Sequence, residues 1–362
     1  MLKKLSLISI LLIFSALLCG AAEKKVHWSS GVEASSLNLI GKSVETANPY
    51  HRVDTVKYKG FNKTENFECR MSAGLAVLFR TNATDIGVVL ELGEVRNYDF
   101  PSYTGVDLYV KKDGEFLWAG RAFANHTYKG GVMSVVNDMA PGEKECILYL
   151  PLFSEVNSCK ICVTEGASIE PLDSPFRHKI VFHGSSFTHG HSCTRSGMSY
   201  PMQWMRRTGM QVIPLGFSGR CMMQPYFADF LCDVEADAYV FDSFSNPQAP
   251  TIKARLFPFI EKLQAAHPGK PLIFQRTIYW EKDNFNTVHN AETLSKQAMS
   301  DSLMSIACRK YKDVYYIVPD AALHNGESST ADGVHPNDNG YSVWEKSIEK
   351  PLLRILGWYG IR

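Results

Sequence analysis

The chain has 362 residues, of which 45% are hydrophobic, 21% charged and 12% aromatic, a composition that excludes a disordered or low-complexity protein and suits one large or two ordinary globular units. Its 38 basic and 37 acidic residues give a formal net charge of +1, which excludes the basic excess of a nucleic-acid binder and suits a neutral, glycan-like partner. Residues 1–22 hold Lys3 and Lys4, an apolar run over 5–18 and the small residues Gly20, Ala21 and Ala22, the pattern of a secretory signal peptide. The run is too short to make a stable membrane span, and Glu23, Lys24 and Lys25 end it. Export to the periplasm or the extracellular space is expected. Cys19 offers a lipoprotein anchor as the alternative, against which stands Leu18, where such signals usually demand a small side chain.

From residue 23 to about 172 the chain reads as all-β: short alternating apolar segments separated by turn signals, with no persuasive amphipathic helix. Strands are predicted over 86–92 (IGVVLEL), 106–110 (VDLYV), 116–118, 146–150 (CILYL) and 160–163, with Asp113-Gly114 as a tight hairpin turn. A jelly-roll-like β-sandwich is the economical fold. Cys159 and Cys162 form a C-x-x-C spacing inside a strand-like stretch with no second pair at zinc-finger distance, so buried thiols or one disulfide are expected rather than a metal site. Asn62, Asn82 and Asn125 open Asn-x-Thr triplets, which are glycosylation acceptors only in a host that uses them.

After the linker 171–175 (PLDSP) the pattern changes, and residues 173–362 alternate strand, loop and helix. Buried strands are predicted over 179–182, 211–215, 238–241, 272–276 and 314–317, and helices over 200–207, 252–265, 291–311 and 341–350. That alternation is the mark of a mostly parallel sheet covered on both faces, in which reactive groups sit on loops at the carboxyl ends of the strands.

The chemistry-bearing residues fall on those loops. His183-Gly184-Ser185-Ser186-Phe187-Thr188-His189-Gly190 follows the first strand. A serine on such a turn has an exposed hydroxyl and a free amide, so nucleophile and oxyanion donor can share Ser186, although a helix N-cap looks the same in isolation. A hydroxyl needs a base, and Asp332-Gly333-Val334-His335-Pro336 supplies a histidine with a carboxylate three residues before it. This spacing lets Asp332 fix the tautomer of His335 and stabilise the imidazolium that forms. Gly216-Phe217-Ser218-Gly219 and Asp242-Ser243-Phe244-Ser245-Asn246 each follow a predicted strand. Both are readable as plain turns or as donors to an oxyanion.

Ser186, Gly219, Asn246 and His335 stand in the order that names the SGNH hydrolases, also called the GDSL esterase/lipase family. GSSFTHG, SGMSYP, LGFSG and DGVHPNDNGY resemble a bacterial subfamily of these, and Gly105-Val106-Asp107-Leu108-Tyr109 resembles the Gly-x-Asp-Leu-Tyr motif of its N-terminal β-domain. The resemblance covers nearly all of the chain beyond the leader. It implies a flavodoxin-like three-layer α/β/α catalytic domain over 173–362, preceded by the β-sandwich over 23–172. It also implies cofactor-free hydrolysis of an acyl ester, with Ser186 as nucleophile, His335 as base and oxyanion donors from the Ser186 amide, the Gly219 amide and the Asn246 side chain. Two positions depart from the family pattern: Ser185 stands where it has Asp before the nucleophile, and Phe244 and Pro247 flank Asn246.

His189, His191 and Cys193 crowd the nucleophile loop. They are readable as zinc ligands of a metal-dependent hydrolase or as packing at the pocket rim, and a complete triad leaves a water-activating metal without a task. Tyr279, Trp280 and Phe285 follow a late strand as a sugar platform or as core, and His189, Tyr279 and Trp280 are the candidate substrate contacts. The expected substrate is an acylated, most plausibly acetylated, carbohydrate, with a lipid or small-molecule ester as the alternative and a non-catalytic glycan-binding protein as the competing class.

Overall fold

A computed structural model of the chain describes residues 26–278, 280–320 and 329–362; the proposed leader, with Cys19, and Tyr279 lie outside the described residues. The fold is mixed α/β. Its N-terminal part holds two antiparallel sheets, and the hairpin predicted at Asp113-Gly114 is a two-residue turn, with φ of 53° and 88°, closing Lys112 against Glu115. The four-stranded sheet runs in the order Val32–Glu33, Ser154–Val163, Ile86–Val95, Met133–Val136. The larger sheet runs Ile169–Pro171, Ala76–Thr81, Lys144–Tyr149, Gly105–Lys112, Glu115–Phe123, with Asn38–Ile40 also paired to Ala76–Thr81.

The central strands of the larger sheet are buried on both faces. Along its strands Val77, Phe79, Val106, Leu108, Cys146 and Leu148 point into a core shared with the smaller sheet, while Ala76, Leu78, Tyr109, Ile147 and Tyr149 join a core shared with the C-terminal part. The period of two along a strand divides its residues between the two cores.

Residues beyond 176 form a five-stranded parallel sheet in the order Met210–Gly216, Arg177–Gly184, Ala238–Asp242, Leu272–Gln275, Val314–Ile317. Ile180, Phe182, Val212, Ala238, Val240 and Ile273 pack with the helices Tyr200–Thr208 and Asp338–Trp358 on one face. Val181, Ile213, Tyr239, Phe241, Leu272 and Phe274 pack with Pro225–Leu231, Ala249–Ala266 and Thr287–Lys310 on the other. The chain starts in the second position of the sheet, adds one strand to its left and then proceeds right. That reversal opens a crevice beyond the carboxyl end of Arg177–Gly184, where such sheets place their ligands.

Two differences from the sequence reading have physical causes. A helix at Lys63–Arg70 interrupts the all-β part, held by a capping box between Asn62 and Glu65. The last helix runs on through Pro351 to Trp358, because Leu352, Ile355 and Leu356 still face the core and that burial outweighs one lost hydrogen bond. Cys159 and Cys162 are both buried and unbonded, as the thiol alternative expects. Among the described residues no helix is long and apolar enough to cross a membrane.

Candidate active site

The strand Arg177–Gly184 ends in a turn whose tightness is built into its residues. A Cβ on Gly184 would lie 2.1 Å from Thr188 Oγ1 and 2.8 Å from Asp242 Cβ, so only glycine lets the following helical turn sit this close to the strand end. Ser185 is the N-cap of Ser186–His189, its Oγ accepting the Phe187 amide at 3.2 Å, and left-handed Gly190 ends the turn at φ 92°. Ser186 thus stands at the first helical position, with its amide free of any intrahelical acceptor.

The departure at Ser185 is compensated from the neighbouring strand. Asp242, at the end of Ala238–Asp242, accepts the Ser185 hydroxyl at 2.5 Å, the Ser185 amide at 3.1 Å and the Thr188 hydroxyl at 3.3 Å on one oxygen. Its other oxygen takes the Ser245 hydroxyl at 2.5 Å. A carboxylate therefore braces the serine turn after all, delivered from a different strand. Burial pushes its carboxyl up to about 6, against the hydrogen bonds from Ser185, Ser245 and Thr188.

His335 arrives on the loop before the last helix. Asp332 organises that loop: one oxygen accepts the amides of Val334 at 3.0 Å and His335 at 2.7 Å, and the other faces His335 Nδ1 at 2.7 Å. With Nδ1 carrying its proton toward Asp332, Nε2 is left as acceptor, and it stands 3.0 Å from Ser186 Oγ. Burial works to raise the Asp332 carboxyl, but the hydrogen bonds from the His335 ring and amide outweigh it and hold the group well below the usual carboxylate range.

A cavity of about 420 Å³ opens over Ser186 and His335, lined by Gly219, Asn246, Trp280, Arg96 and Arg220 among others. Gly219 adopts φ 72°, a left-handed conformation that turns the loop after Met210–Gly216 toward the serine. Asn246 accepts the Cys221 amide through Oδ1 at 3.1 Å, which leaves its Nδ2 end to donate. Phe244, beside it, is fully buried core, so the unusual flank of Asn246 packs inward.

The histidines of the nucleophile loop separate. His189 does not reach the cavity: it is 1% exposed, stacked on Phe153 at 3.9 Å, with Nε2 2.7 Å from the Leu152 carbonyl. This corrects its reading as a substrate contact and removes it as a metal ligand beside His191. Its signal was position in the loop, and the fourth residue of a helical turn faces back into the protein. His191 stacks on the His335 ring at 3.9 Å, and burial, with His335 and Arg96 beside it, pushes its imidazole down to about 3. Donor atoms of His191, Asp332 and His335 lie within 4.8 Å of one another, but a metal held there would take His335 from Ser186. Phe285 is 96% exposed and does not line the cavity, whereas Trp280 does. Arg96 and Arg220 had no sequence signal, since a lone arginine after a strand is an ordinary surface residue.

Comparison with known proteins adds to this geometry. The GDSL-like lipase/acylhydrolase family profile matches residues 177–353, and a profile for the N-terminus of SGNH-hydrolase-type esterases, GxDLY, matches residues 26–169. A search of curated proteins finds no match. Among solved structures, a Bacteroides ovatus protein described as a GDSL-like lipase is 33% identical, with a TM-score of 0.85 over 92% of this chain and 98% of that one. The salicylyl-acyltransferase of a tetracycline biosynthetic pathway shares the fold at 19% identity and TM-score 0.64, over 81% of this chain and 86% of its own. So does a family two carbohydrate esterase from Clostridium thermocellum, solved with cellohexaose, at 14% and 0.58, over 79% and 94%.

Proposed function

Since the chain belongs to the GDSL-like lipase/acylhydrolase family and is a carboxylic ester hydrolase, we propose that Ser186, His335 and Asp332 are its catalytic triad. The observation that carries this is the continuous chain of contacts, 2.7 Å from Asp332 to His335 Nδ1 and 3.0 Å from His335 Nε2 to Ser186 Oγ, at the floor of the cavity. Ser186 Oγ attacks the ester carbonyl as His335 Nε2 takes its proton, and the oxyanion receives hydrogen bonds from the amides of Ser186 and Gly219 and from Asn246 Nδ2. His335 then protonates the departing alcohol. Water, deprotonated by the same imidazole, attacks the acyl-enzyme and releases the acid, with Ser186 recovering its proton. Asp332 holds the tautomer and balances the imidazolium throughout.

The substrate we propose is an acylated carbohydrate with a short acyl group such as acetyl. Support comes from the modest cavity, the Trp280 wall and the fold shared with a carbohydrate esterase solved with cellohexaose. We read residues 1–22 as a signal peptide for export, 23–172 as a jelly-roll-like β-sandwich domain and 173–362 as a flavodoxin-like catalytic domain.

Release of 4-nitrophenol from its acetate ester tests the triad. Ser186→Ala should abolish turnover, Asp332→Asn should lower kcat by about 10³–10⁴, and a chelator should change neither the wild-type rate nor these losses. Full activity in Ser186→Ala, or its loss on chelation, would exclude the proposal.

A further inference from the structure

The cavity carries charge that the triad does not use. Arg96 reaches it from the residue after the strand Ile86–Val95, and Arg220 from the residue after Gly219. The carboxylates at hand are already engaged. Asp332 is bound to His335. Glu68, 1% exposed, lies behind Arg96 with Oε1 3.4 Å from Nη1. That single acid is shared by Arg96, Arg52 and Arg220, and burial pushes it up to about 7 against their opposing charges, so it offsets at most one of the three. Arg52 is fully buried and spends its donors on backbone carbonyls. Arg220 makes no ion pair among the described residues. The Arg96 guanidinium is held in place by Glu68 and by the Phe153 ring, 5.2 Å from its centroid, while the side chain stays 35% exposed. A pre-placed guanidinium and an unpaired one lining the same cavity suit a planar anion.

We infer that Arg96 and Arg220 form an anion subsite and that the substrate carries a carboxylate close to the scissile ester. The inference rests on the serine-esterase reading and narrows its substrate class. The carboxylate can belong to the acid released, as in a half-ester of a dicarboxylic acid, or to the alcohol, as in an acetylated uronic acid.

Two matched pairs separate these sources: 4-nitrophenyl acetate against 4-nitrophenyl hydrogen succinate, and acetylated methyl glucoside against acetylated methyl glucuronoside with its carboxylate free. In one pair kcat/KM should favour the carboxylate member by about tenfold or more, and the pair that responds tells which side bears the anion. Arg220→Gln, at a side chain with no hydrogen bond or ion pair among the described residues, should lower that ratio at least about fivefold, mainly through KM, with Arg220→Lys recovering part of it. Arg96→Gln should act in the same direction, and raising salt from about 0.05 to 0.5 M should shrink the wild-type ratio. Equal rates within both pairs, or a ratio that Arg220→Gln leaves unmoved, would overturn the inference while leaving the esterase reading intact. If no ester is hydrolysed, the esterase reading fails by itself, and calorimetric titration of Ser186→Ala with succinate and with glucuronate decides the subsite. Binding weakened at least about fivefold by Arg220→Gln supports it, and binding that is absent or indifferent to Arg220→Gln overturns it.

Discussion

Asp242 is 1% exposed and accepts four hydrogen bonds beneath the nucleophile turn. Asp242→Asn can keep its Oδ1 toward the Ser185 amide and offer its NH₂ to the Ser245 hydroxyl, which can accept it while donating to Thr277 Oγ1, 3.0 Å away. Asp242→Ala leaves the Ser185 amide and three hydroxyls without this acceptor, at a cost of about 3 kcal/mol. Thermal unfolding should rank wild type and Asn close together and Ala well below. Because burial raises the Asp242 carboxyl to about 6, the folded chain keeps a proton that the unfolded chain releases between about pH 4 and 6. Its contribution to stability is full below that window and is lost as pH rises through it. The Asn variant lacks this loss, so its Tm should gain on wild type from pH 4 to 7. The meeting of Ser186 and His335 was legible because both lie on loops of a recognisable pattern. Asp242 was not, because only the pairing of two strands brings it under Ser185.

Strands that form compact apolar runs between turn signals announced themselves, whether they bury one face or two. All five strands of the parallel sheet were readable as compact apolar runs bounded by turns. The strand Ala76–Thr81 was missed: with Ala76 and Leu78 in one core and Val77 and Phe79 in the other, alternation disappears and nothing marks its period. The helix Lys63–Arg70 was missed because its apolar stripe is thin and its start signal, Asn62 followed by Glu65, was read as a glycosylation triplet. Asn62 Oδ1 accepts the Glu65 amide at 3.0 Å, and Glu65 returns the bond to the Asn62 amide at 2.9 Å. Asn62→Ala should therefore cost about 1 kcal/mol of stability, measured by urea unfolding.

Across the whole molecule, Arg52 joins the two parts of the chain. Its guanidinium donates to the carbonyls of Met71 at 2.9 Å and Glu68 at 2.6 Å on one side, and to Gly216 at 2.9 Å on the other. Gly216 begins the loop that carries Gly219, so the N-terminal part holds one wall of the cavity over Ser186. Arg52→Met should lower stability by about 3–5 kcal/mol and reduce kcat for 4-nitrophenyl acetate more than it raises KM. Unchanged kcat in the folded variant would show that the loop holds its own shape. None of this was legible in the sequence: a net charge of +1 is a sum, and it hides Arg52, Arg96 and Arg220 gathered round Glu68. The sheet whose central strands bury both faces has a consequence for descent. A module can be traded between lineages when its outer surface is already water-soluble, and here the surface that would be bared is core. Recombination at the linker would strand an apolar face on each fragment, so the two parts are bound to drift together, each substitution at their seam selecting its partner on the other side.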